Sequence, residues 1–244
     1  MTGKGESMKY RRIILKLSGE ALLSPGVEKG ISLDAAAKLV SEVRSAIDLG
    51  VEIGIVIGGG NIFRGAPIAK EGGICQAQAD RMGMLATVIN GLALQEVMIG
   101  SGLDAVLMSS LAIEGVAHSF DRRSAIRDMK EGRVLIFCGG TGSPFFSTDT
   151  AASLRALEVG AEAILKGTKV DGVYSADPKN DPSAKRFDSV SFIDVLKNQL
   201  KVMDSTAVSM CMDHNIPIIV FDIFKSGNLA KVVKGEKIGT VVYG

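Results

Sequence analysis

The sequence predicts an α/β protein whose mainly parallel sheet is covered by helices on both faces. Short apolar runs of strand length alternate with helix-period segments along most of the chain, the pattern that a sheet buried on two sides requires. Hydrophobic residues make up 46% of the 244 residues and aromatic ones only 5%. The core is therefore expected to be aliphatic, with Ala and Gly allowing close packing. No Pro-, Ser- or charge-rich stretch is long enough to act as a linker, so residues 1–244 are read as a single domain with a loose tail over residues 1–8.

The elements follow in order. Strands are expected at Arg12 to Leu17, Val51 to Ile57, Ala105 to Met108, Arg133 to Cys138, Ala163 to Lys166, Ile216 to Phe221 and Gly239 to Val242, with helices between them. Ser32 is placed to cap a helix whose apolar face is Leu33, Ala36, Leu39, Val40, Val43 and Ile47, and Gly50 ends it. The segment Gln78 to Ile99 is rich in Met, Leu and Ala on several faces, which suits a buried helix or one packed against a second subunit. A further helix is expected from Asp149 to Val159. Asp177 to Ala184 is polar and full of turn formers, hence a surface loop.

With 28 basic and 27 acidic residues the net charge is +1, which argues against a nucleic-acid binder or a membrane-surface binder and favours a small ligand. The three cysteines, Cys75, Cys138 and Cys211, are far apart and lack metal-ligand spacing, so they read as reduced and mostly buried thiols. His118 and His214 have no evident partner and read as surface or packing residues. The start of the chain has no apolar signal region, and no run of about 18 apolar residues occurs. A cytoplasmic protein is expected.

Chemistry concentrates where strands end. The second strand runs into Gly58-Gly59-Gly60-Asn61, followed by Arg64. Backbone N–H groups without side chains can approach an anion closely, and a guanidinium fork matches phosphate oxygens. The first strand ends Lys16-Leu17-Ser18-Gly19, and Val134 to Cys138 runs into Gly139-Gly140-Thr141-Gly142-Ser143-Pro144-Phe145-Phe146-Ser147-Thr148-Asp149. Three such ends suggest one polyanion site at the carboxyl edge of the sheet. The Walker A pattern, a dinucleotide-binding G-x-G-x-x-G after the first strand and protein-kinase signatures are all missing, which leaves another kind of phosphate-handling protein.

Four motifs in order, Lys16-Leu17-Ser18-Gly19, Gly58 to Gly65, Thr141 to Phe146 and Lys169 to Pro178, closely resemble those of the bacterial uridylate kinases of the amino acid kinase family. Asp80-Arg81-Met82-Gly83-Met84 and Lys201-Val202-Met203-Asp204 add to the likeness, which spans about Tyr10 to Val242. The resemblance implies a three-layer α/β/α sandwich with a mostly parallel central sheet. It also implies transfer of the ATP γ-phosphoryl group to UMP, giving UDP for pyrimidine nucleotide synthesis, with Mg2+ held mainly by the nucleotide phosphates rather than by side chains.

Carried over position by position, the resemblance makes Lys16, Arg64 and Asp149 the catalytic group. Lys16 would stabilise the transferring group and Asp149 would hold lysines such as Lys16 or Lys166, with capping of the helix that begins there as the alternative role. Leu17, Ser18, Gly19, Gly60, Thr168, Tyr174 and Asp177 join Lys16 and Arg64 as ATP contacts. UMP contacts would be Gly59, Asp80 for the ribose hydroxyls, and Thr141, Gly142, Ser143, Pro144, Phe145, Phe146, Ser147 and Thr148. The Phe pair would wall off the uracil or its ribose, or else belong to the core; Asp80 would otherwise cap a helix.

Ser143 stands where asparagine is common in the family and Ser147 where threonine is, and both keep a hydrogen-bonding side chain. The segments Leu23 to Ile31 and Phe120 to Arg127 depart from the familiar pattern. The homohexamer, GTP activation and UTP inhibition typical of the family are therefore expectations carried by resemblance alone. The alternatives are an acetylglutamate, aspartate or carbamate kinase of the same fold, acting on a carboxylate or carbamate, and a catalytically silent nucleotide sensor. The nucleotide-suited acceptor loop speaks against the first, and the retained Lys16, Arg64, Asp149 and Asp177 speak against the second.

Overall fold

The computed structural model describes residues 8–65, 72–178, 180–181 and 183–244. The expected tail lies outside the described residues except for Met8, as do positions 179 and 182 of the expected loop. The strands are β1 Arg12–Leu17, β2 Glu52–Ile57, β3 Ala105–Ser109, β4 His118–Ser119, β5 Val134–Cys138, β6 Ala163–Thr168, β7 Ser189–Ser191, β8 Ile218–Asp222 and β9 Thr240–Tyr243. They form one sheet in the order β4-β3-β5-β2-β1-β6-β8-β9-β7, parallel at every pairing except β8 with β9. All seven expected strands are present, shifted by two residues or fewer at their starts. Pro217, which has no N–H to donate, precedes Ile218 and accounts for the later start of β8.

The helices are α1 Leu33–Ile47, α2 Gln76–Gly100, α3 Arg122–Lys130, α4 Thr148–Val159, α5 Phe192–Lys197, α6 Ser205–Asp213 and α7 Asn228–Lys234, with a 3-10 turn at Gly19–Leu22. Side chains alternate across each strand. Ile13, Leu15, Leu17, Ile53, Ile55 and Ile57 therefore pack under α1, α2 and α7, while Ile14, Val56, Leu135, Phe137, Ile164 and Ile218 pack under α3, α4, α5 and α6. These are the two outer layers of an α/β/α sandwich. Ser32 caps α1 through its hydroxyl, which accepts from the Ala35 N–H at 3.2 Å.

At 25 residues α2 is long and apolar enough to cross a membrane. In this fold it lies along the sheet instead, against α1, β3 and β5. Its outer face carries Met82, Leu85 and Ile89, which are 41%, 48% and 48% exposed. Cys138 and Cys211 are buried, and burial pushes each thiol up to about 11, whereas Cys75 is exposed.

Candidate active site

Four adjacent strands, β5, β2, β1 and β6, deliver their carboxyl ends to the same edge of the sheet. The sequence-expected Lys16, the Gly58 run and the Gly139 run thereby become neighbours, although up to 123 positions separate them along the chain. Parallel register places Lys16 of β1 directly beside Lys166 of β6. In-register neighbours on parallel strands share a face, so both ammonium groups point towards the start of α4. Asp149, the second residue of α4, meets them. Its Oδ1 lies 2.8 Å from Lys16 Nζ and its Oδ2 accepts from Lys166 Nζ at 2.9 Å.

The cluster is largely dry: Lys16 is only 7% exposed. Lys166 also donates to the Val202 carbonyl at 2.5 Å. Lys16 approaches Asp149 Oδ1 off the hydrogen-bond direction, so that oxygen has an ion pair but no formal hydrogen bond. Burial alone would push the Asp149 carboxyl up, but the two ammonium groups outweigh it and hold the carboxyl below its usual range. Burial and the neighbouring Lys16 charge push the Lys166 ammonium down, and Asp149 only partly offsets them. Lys16, Asp149 and Lys166 thus form a preset positive bay with one carboxylate between two cations. The helix cap at this point is Ser147, not Asp149; its Oγ accepts from the N–H groups of Asp149 at 2.9 Å and Thr150 at 3.3 Å. Asp149 is left to hold the lysines.

Behind the edge, two fully buried amides brace the loops. Asn61 and Asn90 donate to each other's carbonyl oxygens at 3.0 and 2.7 Å; Asn61 also holds the Gly30 carbonyl at 2.8 Å and Asn90 the Gly58 carbonyl at 2.7 Å. Gly19 sits against this brace, where a Cβ would fall 2.2 Å from Asn61 Oδ1. In front of it, Arg64 is exposed, donates to the Gly60 carbonyl at 3.2 Å and pairs with Glu20, which also faces Lys169 at 3.7 Å.

A cavity of about 160 Å³ opens beside this bay, between the Gly58 and Gly139 runs and the first turns of α2. Its lining includes Gly59, Gly60, Asp80, Gly140, Phe146, Ser147 and Thr148, all singled out in the sequence, Phe63 and Met84, which lie in the motifs but were given no role, and Thr87, which was not singled out. Asp80 lies within α2, whose cap position is Cys75, so the capping alternative does not hold. Its Oδ1 accepts from Gln76 Nε2 at 2.7 Å and its Oδ2 from the Phe145 N–H at 2.8 Å. Thr141, Gly142, Ser143, Pro144 and Phe145 form the outer turn of the loop and do not line the cavity. Phe145 and Phe146 are 74% and 49% exposed, so neither ring belongs to the core.

Thr168 ends β6, on the other side of Lys16, and Tyr174 and Asp177 follow it. Thr168 Oγ1 accepts from the Val170 N–H at 3.1 Å, the Tyr174 hydroxyl donates to Asp171 at 2.7 Å, and the Asp177 carbonyl accepts from Asn180 N at 3.0 Å. The hydrogen bond from Tyr174 is the main cause holding the Asp171 carboxyl below its usual range. A larger cavity of about 300 Å³ lies at the β3–β4 edge, lined by His118, Asp121, Arg127, Asp128 and Arg133. It shares no lining residue with the cavity at the converging strand ends, and its Arg133 is paired, donating to Asp128 at 2.9 Å and to Asp104 at 3.1 Å.

Comparison with known proteins places this geometry in context. The profile of the amino acid kinase family matches residues 11–222. UMP kinase from Bacillus anthracis superimposes with a TM-score of 0.92 at 37% identity, covering 96% of each chain. UMP kinase from Ureaplasma parvum gives 0.88 at 35% identity, covering 97% of this chain and 100% of that one. Uridylate kinase from Archaeoglobus fulgidus gives 0.70 at 26% identity, covering 94% and 99%.

Proposed function

The chain belongs to the amino acid kinase family, and we propose that it is an ATP-dependent UMP kinase, a phosphotransferase moving the γ-phosphoryl group of ATP onto the phosphate of UMP. The observation that carries this reading is the buried Lys16–Asp149–Lys166 bay with, beside it, a cavity lined by Asp80, Phe146 and Thr148. ATP would lie over the β1 and β6 ends, against Leu17, Ser18, Gly19, Thr168, Tyr174 and Asp177. UMP would occupy the cavity, its phosphate near Gly59, Gly60 and Thr148 and its ribose near Asp80. The outer turn Thr141, Gly142, Ser143, Pro144 and Phe145, with Phe146 and Ser147, would close over the sugar and base. Both substrates would then lie along one edge of the sheet.

A UMP phosphate has a second pKa near ~6, so it is a dianion at neutral pH and needs no general base. Catalysis then reduces to aligning two polyanions and neutralising charge in a loose transition state. Lys16 faces the transfer zone, fixed by Asp149 so that little reorganisation is needed during reaction. Arg64 adds a mobile cation between the two nucleotides once phosphates replace Glu20 as its partner. Among the described residues no group of three acidic or metal-ligating side chains is placed to hold a cation by itself. Both Asp149 oxygens already face ammonium groups. Mg2+ would therefore enter on the nucleotide phosphates and neutralise part of their charge.

The exposed Met82, Leu85 and Ile89 on α2, spaced three and four residues apart, make an apolar stripe suited to self-association. It supports a homo-oligomer, with a hexamer, GTP activation, UTP inhibition and a cytoplasmic setting carried from the family. The test is an ATP-consumption assay with Mg2+ and, in parallel, UMP, CMP, dTMP, AMP, N-acetylglutamate, aspartate and carbamate. Turnover confined mainly to UMP is expected. Turnover with a carboxylate or carbamate acceptor, or none at all, would refute the proposal.

A further inference from the structure

Arg155 lies in the middle of α4 and is 5% exposed, yet it touches neither the lysine bay nor the cavity. A buried guanidinium must find partners, and those of Arg155 are informative. Its plane sits over the Phe120 ring at 3.7 Å, Nη1 pairs with Glu158, and Nη2 donates to Ser110 Oγ at 2.8 Å. Ser110 Oγ in turn donates to the Gly140 carbonyl at 2.7 Å. Gly140 lines the acceptor cavity.

The direction of this chain is forced. A guanidinium can only donate, so Ser110 Oγ must accept from Arg155, and its single proton is left for Gly140. The loop it holds needs holding: Gly139, Gly140 and Gly142 have φ of 75°, 58° and 83°, and Phe145, with a Cβ, has 72°. Its other polar anchors include Thr87, whose Oγ1 accepts from Gly139 N at 2.8 Å, and Asp80, which accepts from Phe145 N. Gly142 also rests against Ser110, where a Cβ would come within 3.1 Å of the Ser110 carbonyl oxygen.

We propose that Arg155 is a positioning residue for the monophosphate acceptor, acting through Ser110 to set the Gly140 carbonyl and the acceptor loop that follows it. The proposal rests on the reading of this cavity as the UMP site. Because Arg155 stacks on Phe120, just beyond β4, the loop is also tied mechanically to the β3–β4 edge of the sheet.

The test is steady-state kinetics of the full-length enzyme for Ser110→Ala, Ser110→Thr, Arg155→Met and the Ser110→Ala/Arg155→Met double variant. Losing one buried hydrogen bond predicts a rise in the KM for UMP of about five- to tenfold, with the KM for ATP and the saturated turnover kept. Ser110→Thr, which retains the hydroxyl, should restore the KM for UMP. The double variant should match the worse single variant rather than the product of the two, as members of one relay do. Ser110→Ala leaves the packing of Arg155 intact and decides the matter if Arg155→Met does not fold. A normal KM for UMP in Ser110→Ala, or equal rises in both KM values, would overturn the positioning role while leaving the kinase reading standing. Absence of UMP turnover in the unaltered enzyme would overturn both.

Discussion

Replacing Asp149 with Asn removes the carboxylate that lies between two buried ammonium groups while leaving the shape of the site almost unchanged. At contacts of 2.8 and 2.9 Å, each ion pair is worth a gross attraction of about 6 kcal/mol at an effective dielectric of about 20. Dehydration of three charges cancels much of this, so the expected loss is that of breaking a buried pair, about 3–5 kcal/mol at neutral pH. The sign of the pH dependence follows. Without Asp149 the Lys166 ammonium, already held down by burial and by the Lys16 charge, should fall further, so the unfolded chain binds more protons, and the variant should regain stability relative to the parent as the pH rises from neutral towards the ordinary lysine range. In the parent, the lowered Asp149 value contributes stability above the ordinary carboxylate range that is lost on acidification. Urea unfolding followed by circular dichroism from about pH 3 to about pH 9.5 measures both effects, and turnover should fall by about a hundredfold or more because Lys16 is no longer held. A variant within about 0.5 kcal/mol of the parent at every pH would refute the idea that Asp149 pins the lysines.

Lys16→Met should reduce saturated turnover by about 10²–10³ while the equilibrium affinity for UMP, measured by calorimetry, changes by less than about threefold; matched losses would remove Lys16 from the transition state. Gly19→Ala would place a methyl group 2.2 Å from Asn61 Oδ1 and 2.6 Å from the Gly58 carbonyl. It should cost about 1–3 kcal/mol in a thermal melt and raise the KM for ATP; an unchanged melt would mean the loops are not braced as described. Phe145→Gly replaces an exposed ring at φ of 72° with a residue that accepts that backbone. Stability should hold or rise by up to about 1 kcal/mol while the KM for UMP increases, whereas an unaltered KM would free Phe145 of any substrate role.

The local elements were legible because their signals are local. Ser32 announces α1 and Gly50 its end, and the apolar runs mark seven of the strands. The strands that escaped, β4 and β7, have two and three residues and owe their conformation to the edges they pair with, not to any run of their own. The capping alternative for Asp149 stayed open for a similar reason: Ser147 and Asp149 both suit a helix start, and only the direction of Asp149 towards the sheet decides that Ser147 caps.

What position in the chain cannot convey is register. Lys16 stands out at the end of an apolar run, and Lys166-Gly167-Thr168 echoes Lys16-Leu17-Ser18, but nothing local says that β6 lies next to β1 with Lys16 opposite Lys166. A shift by one residue would send Lys166 to the other face of the sheet and Asp149 would have a single partner. The same holds for Arg155 and Ser110, which are 45 positions apart and meet only because α4, packed on β1, β2 and β6, brings Arg155 to the loop that follows β3. Most residues proposed to touch substrate sit in strand-end loops and carry their chemistry in their types. Those that position the first group sit in ordinary helix and turn sequences, and they emerge only when sheet order and register bring their partners within bonding distance.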